Sequence, residues 1–168
     1  TTRVQESRTI FRQLESEMDD LIKLQPAFPY PYRVLARLYY RRGDYEKVLS
    51  LYGDFQKIAP LDQEMRSLYT KSLLRLGTDE EKPAPARLTE AARFVGEWFN
   101  SGDAPSFGKT LGVCSVWLRE DGFRRELLKT FREQYAANPK NLNLVISYAA
   151  LLSALGRNES AWKIVQDA

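Results

Sequence analysis

The stretch YRVLARLYYRRGDYEKVLSLY, residues 32–52, decides how this chain is read. Tyr32, Leu35, Ala36 and Tyr39 recur at intervals of three and four, which places them on one face of a helix. Gly43-Asp44 then breaks the pattern, and Val48 and Tyr52 resume it before Pro60. A glycine tolerates the left-handed backbone that ends many helices, and a proline just past a helix cannot continue it. The stretch therefore predicts two helices joined by a tight turn. Ala36 is small at the point where they would cross, and a larger side chain there would push them apart.

The same punctuation recurs along the chain. Gly43 and Gly77 are 34 residues apart, as are Gly122 and Gly156, whereas Gly77 and Gly122 are 45 apart. Prolines keep the same ledger: Pro26 to Pro60 and Pro105 to Pro139 are each 34, and Pro60 to Pro105 is 45. Two residue types thus share one period and one 11-residue insertion in the same interval. A fixed period of this size marks a repeat architecture. Each glycine is expected to close the first helix of a pair, and each proline to mark the exit from the second.

The unit Tyr32-x2-Leu35-Ala36-x2-Tyr39, Gly43-Asp44-Tyr45, Val48-x3-Tyr52, Pro60 resembles the signature of tetratricopeptide (TPR) repeats. Tyr stands for the first Trp, Ala for the small Gly, and Val for the second-helix Ala. The last unit matches as well, with Val145, Tyr148, Ala149, Leu152, Gly156, Ala161 and Val165. The third is looser (Leu111, Cys114, Ser115, Leu118, Gly122, Leu127, Phe131, Pro139), and the second, Tyr69-Thr70-x2-Leu73 before Gly77, is weaker and carries the insertion. Leu14, Met18, Leu21 and Pro26 sit where a preceding second helix would put them. The resemblance implies an all-α fold, a right-handed solenoid of antiparallel helix pairs with about four repeats and a leading helix. The expected divisions are a helix over 4–25 and repeats over 29–62, 63–107, 108–141 and 142–168, forming one array. Thr1 rather than Met opens the sequence, so it reads as an excised piece of a longer protein, continuing in further repeats or another domain.

Composition excludes several functions. The 168 residues include 43% hydrophobic and 28% charged residues, ordinary for a folded chain. Histidine is absent. That removes Ser-His-Asp and Cys-His catalysis, the usual neutral-pH general base, and most zinc sites. Cys114 is alone, so there is no internal disulfide, and it reads as a small core residue. With 25 basic and 22 acidic residues the net charge is +3, too mild by itself to argue for nucleic acid. Asp19-Asp20 and Asp79–Glu81 lack the spacing of a calcium loop. Gly108-Lys109-Thr110 lacks the glycine five residues earlier that a phosphate loop needs, since Asp103 stands there. No catalytic residue, metal or cofactor is expected. No apolar run spans a bilayer, so the segment is expected to be soluble, in a cytoplasmic or membrane-associated assembly, with any anchor outside it.

The resemblance also implies where a partner sits, because TPR first helices line a concave groove. The groove positions transfer to Tyr30, Arg33, Arg37, Tyr40 and Arg41, then to Glu64, Ser67, Lys71, Leu74 and Arg75. The later repeats supply Lys109, Gly112, Val116, Arg119 and Glu120, then Asn143, Ile146, Ala150, Ser153 and Ala154. The first half is basic and aromatic, and the helix from Tyr32 to Arg42 has no carboxylate. Arg33, Arg37 and Arg41 recur every four residues and form one stripe. Tyr30, Arg33, Arg37, Tyr40, Arg41, Lys71 and Arg75 are therefore the expected partner-binding residues, suited to an acidic or extended protein segment. A solvated basic face is the plain alternative. The chaperone-tail carboxylate clamp of some TPR domains is not expected, because Lys71 and Val113 replace two of its residues. Two further functions stand beside the protein-binding module: a pentatricopeptide-like RNA-binding array, and a regulatory segment of an enzyme. The shift from Arg/Tyr to Ala/Ser along the groove speaks against a one-base-per-repeat code.

The insertion falls around residues 78–88, stiffened by Pro83 and Pro85 and made acidic by Asp79, Glu80 and Glu81. Nine or ten of its residues are expected in the turn between two helices. It reads as a tolerated surface loop, with a docking element as the alternative.

Overall fold

The computed structural model describes residues 2–100, 115 and 117–167. Among them are eight α-helices and a short 3-10 turn, with no strand. The helices are α1 (Thr2–Leu24), α2 (Pro29–Arg42), α3 (Tyr45–Phe55), α4 (Gln63–Gly77), α5 (Pro85–Asn100), α6 (Asp121–Ala137), α7 (Leu142–Ala154) and α8 (Asn158–Gln166), with the 3-10 turn at Trp117–Arg119 before α6. They fall into two compact units, Thr1–Ser72 and Leu73–Ala168. The third repeat's first helix, with Lys109, Leu111, Gly112, Cys114 and Val116, lies outside the described residues.

In the first unit α2 starts on Pro29, whose missing N–H and fixed φ suit a first helical position. It ends at Gly43, φ 80°, where the Asp44 amide donates to the Tyr39 carbonyl at 2.9 Å. Gly156, φ 74°, ends α7 with the same pattern: the Arg157 amide donates to the Leu152 carbonyl at 2.8 Å. Both satisfy carbonyls that a helix end leaves orphaned. The core of this unit gathers Met18, Leu35, Leu38, Tyr39 and Val48 from α1, α2 and α3, with Leu68 of α4 packed against it. Ala36 is fully buried, as the close crossing demands. The tyrosine Tyr32 donates to the Pro26 carbonyl, and Arg66, one period later, donates to the Pro60 carbonyl. Equivalent prolines thus receive equivalent hydrogen bonds, which accounts for a buried arginine.

One acid, Glu15, also ties the leading helix to α2 and α3. Glu15 receives Lys47 at 2.9 Å and Arg42 at 3.1 Å, and the Tyr39 hydroxyl donates to it. Lys47 also lies 4.7 Å from the centre of the Tyr39 ring. The hydrogen bond from Lys47 holds the Glu15 carboxyl below its ordinary range, outweighing an opposing contribution from burial.

In the second unit α5 packs along α6 and α6 against α7. Gly96 permits the first approach, since a Cβ there would lie 2.7 Å from Thr130 Cγ2. Phe131 stacks on Tyr148, ring centres 5.9 Å apart. The Asn141 side chain caps α7 by accepting the Leu144 amide at 3.2 Å.

Two expectations change. Gly77 and Gly122 do not adopt a left-handed turn; only Gly43 and Gly156 have positive φ among the described residues. Gly77 is the last residue of α4 and Gly122 lies in the first turn of α6. Their reason is space. A Cβ at Gly77 would sit 2.5 Å from Leu88 Cδ2, and one at Gly122 3.0 Å from Leu88 Cδ1. The inserted Leu88 wedges between the two glycines. The insertion also divides differently: α5 begins at Pro85 and has 16 residues where α3 has 11, so about half the addition lengthens the helix and residues 78–84 form the turn.

These contacts make two measurable statements. Gly77→Ala should cost about 1–3 kcal/mol in denaturant unfolding, through overpacking against Leu88. The cost should fall in a Leu88→Ala background, whereas Gly43→Ala, with open space around it, should cost about 1 kcal/mol from backbone strain alone. Glu15→Gln should lower stability at pH 7. Because its folded carboxyl is depressed, the wild-type advantage should be complete above the ordinary value of 4.5 and vanish as pH falls below it, in urea titrations at stepped pH.

Candidate protein-binding groove

Six of the seven residues expected to line the groove lie in the first unit, and Arg75 lies in the second. Pro29 at the start of α2 and Gly43 at its end fix the helix that carries five of them. Tyr30 is 54% exposed, its ring 6.1 Å from that of Phe28. Tyr40 is half-buried, tilted against Tyr45 at 5.4 Å and packed on the core, so it serves the fold as well as the surface.

Arg33 and Arg37 are not open cations. Arg33 holds Asp62 with two donors, Nε at 2.8 Å and Nη2 at 2.6 Å. The other Asp62 oxygen accepts the Met65 amide at 2.9 Å, which caps α4. Arg37 forks onto Glu64, with Nε on one oxygen and Nη2 on the other at 2.7 Å. The Glu64 hydrogen bonds raise the Arg37 pKa above its ordinary value. Such planar two-point pairs fix orientation as well as charge. The absence of a carboxylate on α2 concealed this, because the acids come from the start of the next repeat, 29 and 27 residues on. Glu64 is itself one of the expected groove positions, and its pairing crosses from one repeat to the next.

Arg41 is exposed and Lys71 half-buried, and neither takes part in an ion pair among the described residues. In the second unit Arg75 lies over the Trp117 ring at 5.1 Å. Leu74 is fully buried and therefore does not line a groove. Arg119 and Glu120 are exposed beside α6, and Ile146, Ala150 and Ser153 lie along α7. Among the described residues no group of three or more Cys, Asp or Glu could hold a metal, and no helix is long and apolar enough to cross a membrane.

The profile of the tetratricopeptide repeat family matches residues 1–168. The chain belongs to that family. A TPR repeat-containing protein of Methanocaldococcus jannaschii is 26% identical over 147 residues, covering 83% of this chain and 24% of the relative. The chain thus spans about a quarter of that relative's length. Among solved structures the crystal structure of MamA protein is similar over 98% of this chain and 84% of its own, at 13% identity and a TM-score of 0.44. TPR repeats in general mediate protein–protein interaction and scaffolding, and proteins of the TPR family are typically non-catalytic.

The two ion pairs that α2 makes differ in depth, and so should their substitutions. Asp62 is 10% exposed, whereas Arg37 and Glu64 are 53% and 38% exposed. Asp62→Ala should cost about 1–3 kcal/mol, losing a helix cap and leaving Arg33 unpaired. Glu64→Gln should cost clearly less, because the pair is solvated. Chemical denaturation of the two variants checks the order.

Proposed function

We propose that the chain is a protein-interaction module that receives an acidic or extended segment of another protein along α2 and α4, as part of a larger assembly. The observation that carries this is the division of labour among its cations. Arg33 and Arg37 are held in fixed forks by Asp62 and Glu64, while Arg41, one turn beyond Arg37, and Lys71 remain without a carboxylate. An incoming carboxylate meets Arg41 and Lys71 without displacing an internal partner. The exposed Tyr30 offers a flat apolar surface at the other end of the same helix. Arginine and tyrosine combine area with directed polar groups, which is why they anchor interfaces. In the second unit Arg75 is held over Trp117.

An RNA-binding role draws less support. Two of the three arginines in the stripe are neutralised by acids, which weakens the phosphate attraction that such binding needs. The choice of test follows from the same pairs. Arg37→Glu would face Glu64 and mix a folding defect with a binding defect, whereas Arg41→Glu and Lys71→Glu break no ion pair. With a fluorescent library of acidic peptides as probe, the double variant Arg41→Glu/Lys71→Glu should weaken binding about tenfold or more, with helical circular dichroism unchanged. Equal binding by the variant would remove this site. Salt-dependent retention of single-stranded RNA on a filter, abolished by the same variant, would favour the nucleic-acid reading.

A further inference from the structure

Asp62 and Glu64 both reach α2 from the start of α4, and the repeat separates their duties. Asp62 accepts the Met65 amide as well as Arg33, and its counterpart 79 residues on, Asn141, accepts the Leu144 amide in the same way. The cap recurs with the repeat and belongs to the fold. Glu64 does not recur. The equivalent positions hold Tyr30, Lys109 and Asn143, none of them acidic. Its carboxylate meets Arg37 through both oxygens and has no other hydrogen-bond partner among the described residues. The pair is solvated, with Arg37 53% and Glu64 38% exposed, so it contributes little to stability.

What such a pair achieves is occupation. The Nε–Nη2 edge of a guanidinium takes one carboxylate in a two-point fork, and Glu64 holds that edge of Arg37. Arg41 stands one turn further along the same stripe, with about 5–6 Å between neighbouring positions. In an extended segment, residues two apart point to one side and lie about 7 Å from each other. A Glu-x-Glu segment would therefore meet Arg37 and Arg41 together if Arg37 were open. With Glu64 in place, its second carboxylate faces another carboxylate, and like charges set against each other reject a partner.

We propose that Glu64 is a built-in competitor that sets the specificity of this site. It takes the place of a partner carboxylate at Arg37, so the segment accepted carries an acid at Arg41 and a neutral residue beside Arg37. This rests on the reading of α2 as the receiver of an acidic segment.

The test uses two short, capped fluorescent peptides of otherwise identical neutral sequence, one with a single Glu and one with Glu-x-Glu, titrated into the full chain. The second Glu should change affinity by less than about twofold in the wild type and should tighten it about fivefold in Glu64→Gln, the contribution of one solvated ion pair. Glu64→Ala should give the same gain, and an unchanged thermal transition shows each variant folded. Adding Arg37→Gln to Glu64→Gln should remove the gain, and Asp54→Asn, the same charge change on α3, should not produce it. Equal effects of the second Glu in wild type and Glu64→Gln overturn the proposal, as does a gain that survives Arg37→Gln or appears in Asp54→Asn. If the wild type binds both peptides and Glu64→Gln changes nothing, only the competitor role falls. If neither protein binds either peptide at about 1 mM, the acidic-segment reading falls with it.

Discussion

The carboxylate of Asp62 accepts the Met65 amide on one oxygen and the Arg33 guanidinium on the other. The first bond sets where α4 begins. That start places Met65 in the core and Tyr69 against Tyr52, so the register of the second repeat on the first follows from one side chain. The second bond joins residues 29 apart in sequence and neutralises one arginine of the α2 stripe. Glu64 repeats the charge effect one turn further along, at a more solvated position. A helix pair of this kind cannot bury its apolar face alone, and stacking on the next pair is what closes it. The carboxylates add direction to a burial force that has none.

Much of this was legible from punctuation. Gly43 and Gly156 turn the chain as their spacing implied, and the helical period of residues 32–52 places Tyr32, Leu35, Ala36, Tyr39, Val48 and Tyr52 in the interior. Gly77 and Gly122 kept the same period for another reason. A glycine can be required by backbone conformation or by lack of room, and spacing does not distinguish the two. The room is taken by Leu88, a residue of the insertion, so the element that interrupts the repeat also explains why its neighbouring glycines persist. The length of α5 escaped as well, because Pro85 reads as a loop residue although it suits a helix's first position.

The arginine stripe on α2 was legible in the sequence, and its ion pairing was not. Arg33, Arg37 and Arg41 are equivalent on a helical net, yet only Arg41 is left without an acid, since the acids reach α2 from a neighbouring helix start. The same limitation hid Glu15, which looks like any surface acid of α1 until Lys47, Arg42 and Tyr39 converge on it. Reading pairs at one period less five or seven residues would have found both Asp62 and Glu64. The TPR framework thus carries on α2 a stripe of arginines that is partly satisfied from within.

The central claim is that Arg33 and Arg37 are committed internally while Arg41 is available to a partner. Nitrogen-15 spectra of the arginine Nε–H groups measure this directly. Arg33 and Arg37 should give resolved signals that exchange slowly with water and hold through addition of an acidic peptide, while the Arg41 signal should exchange fast and shift as the peptide binds. Three arginines with the same fast exchange, or a peptide that shifts Arg33 and Arg37 and leaves Arg41 untouched, would contradict the account.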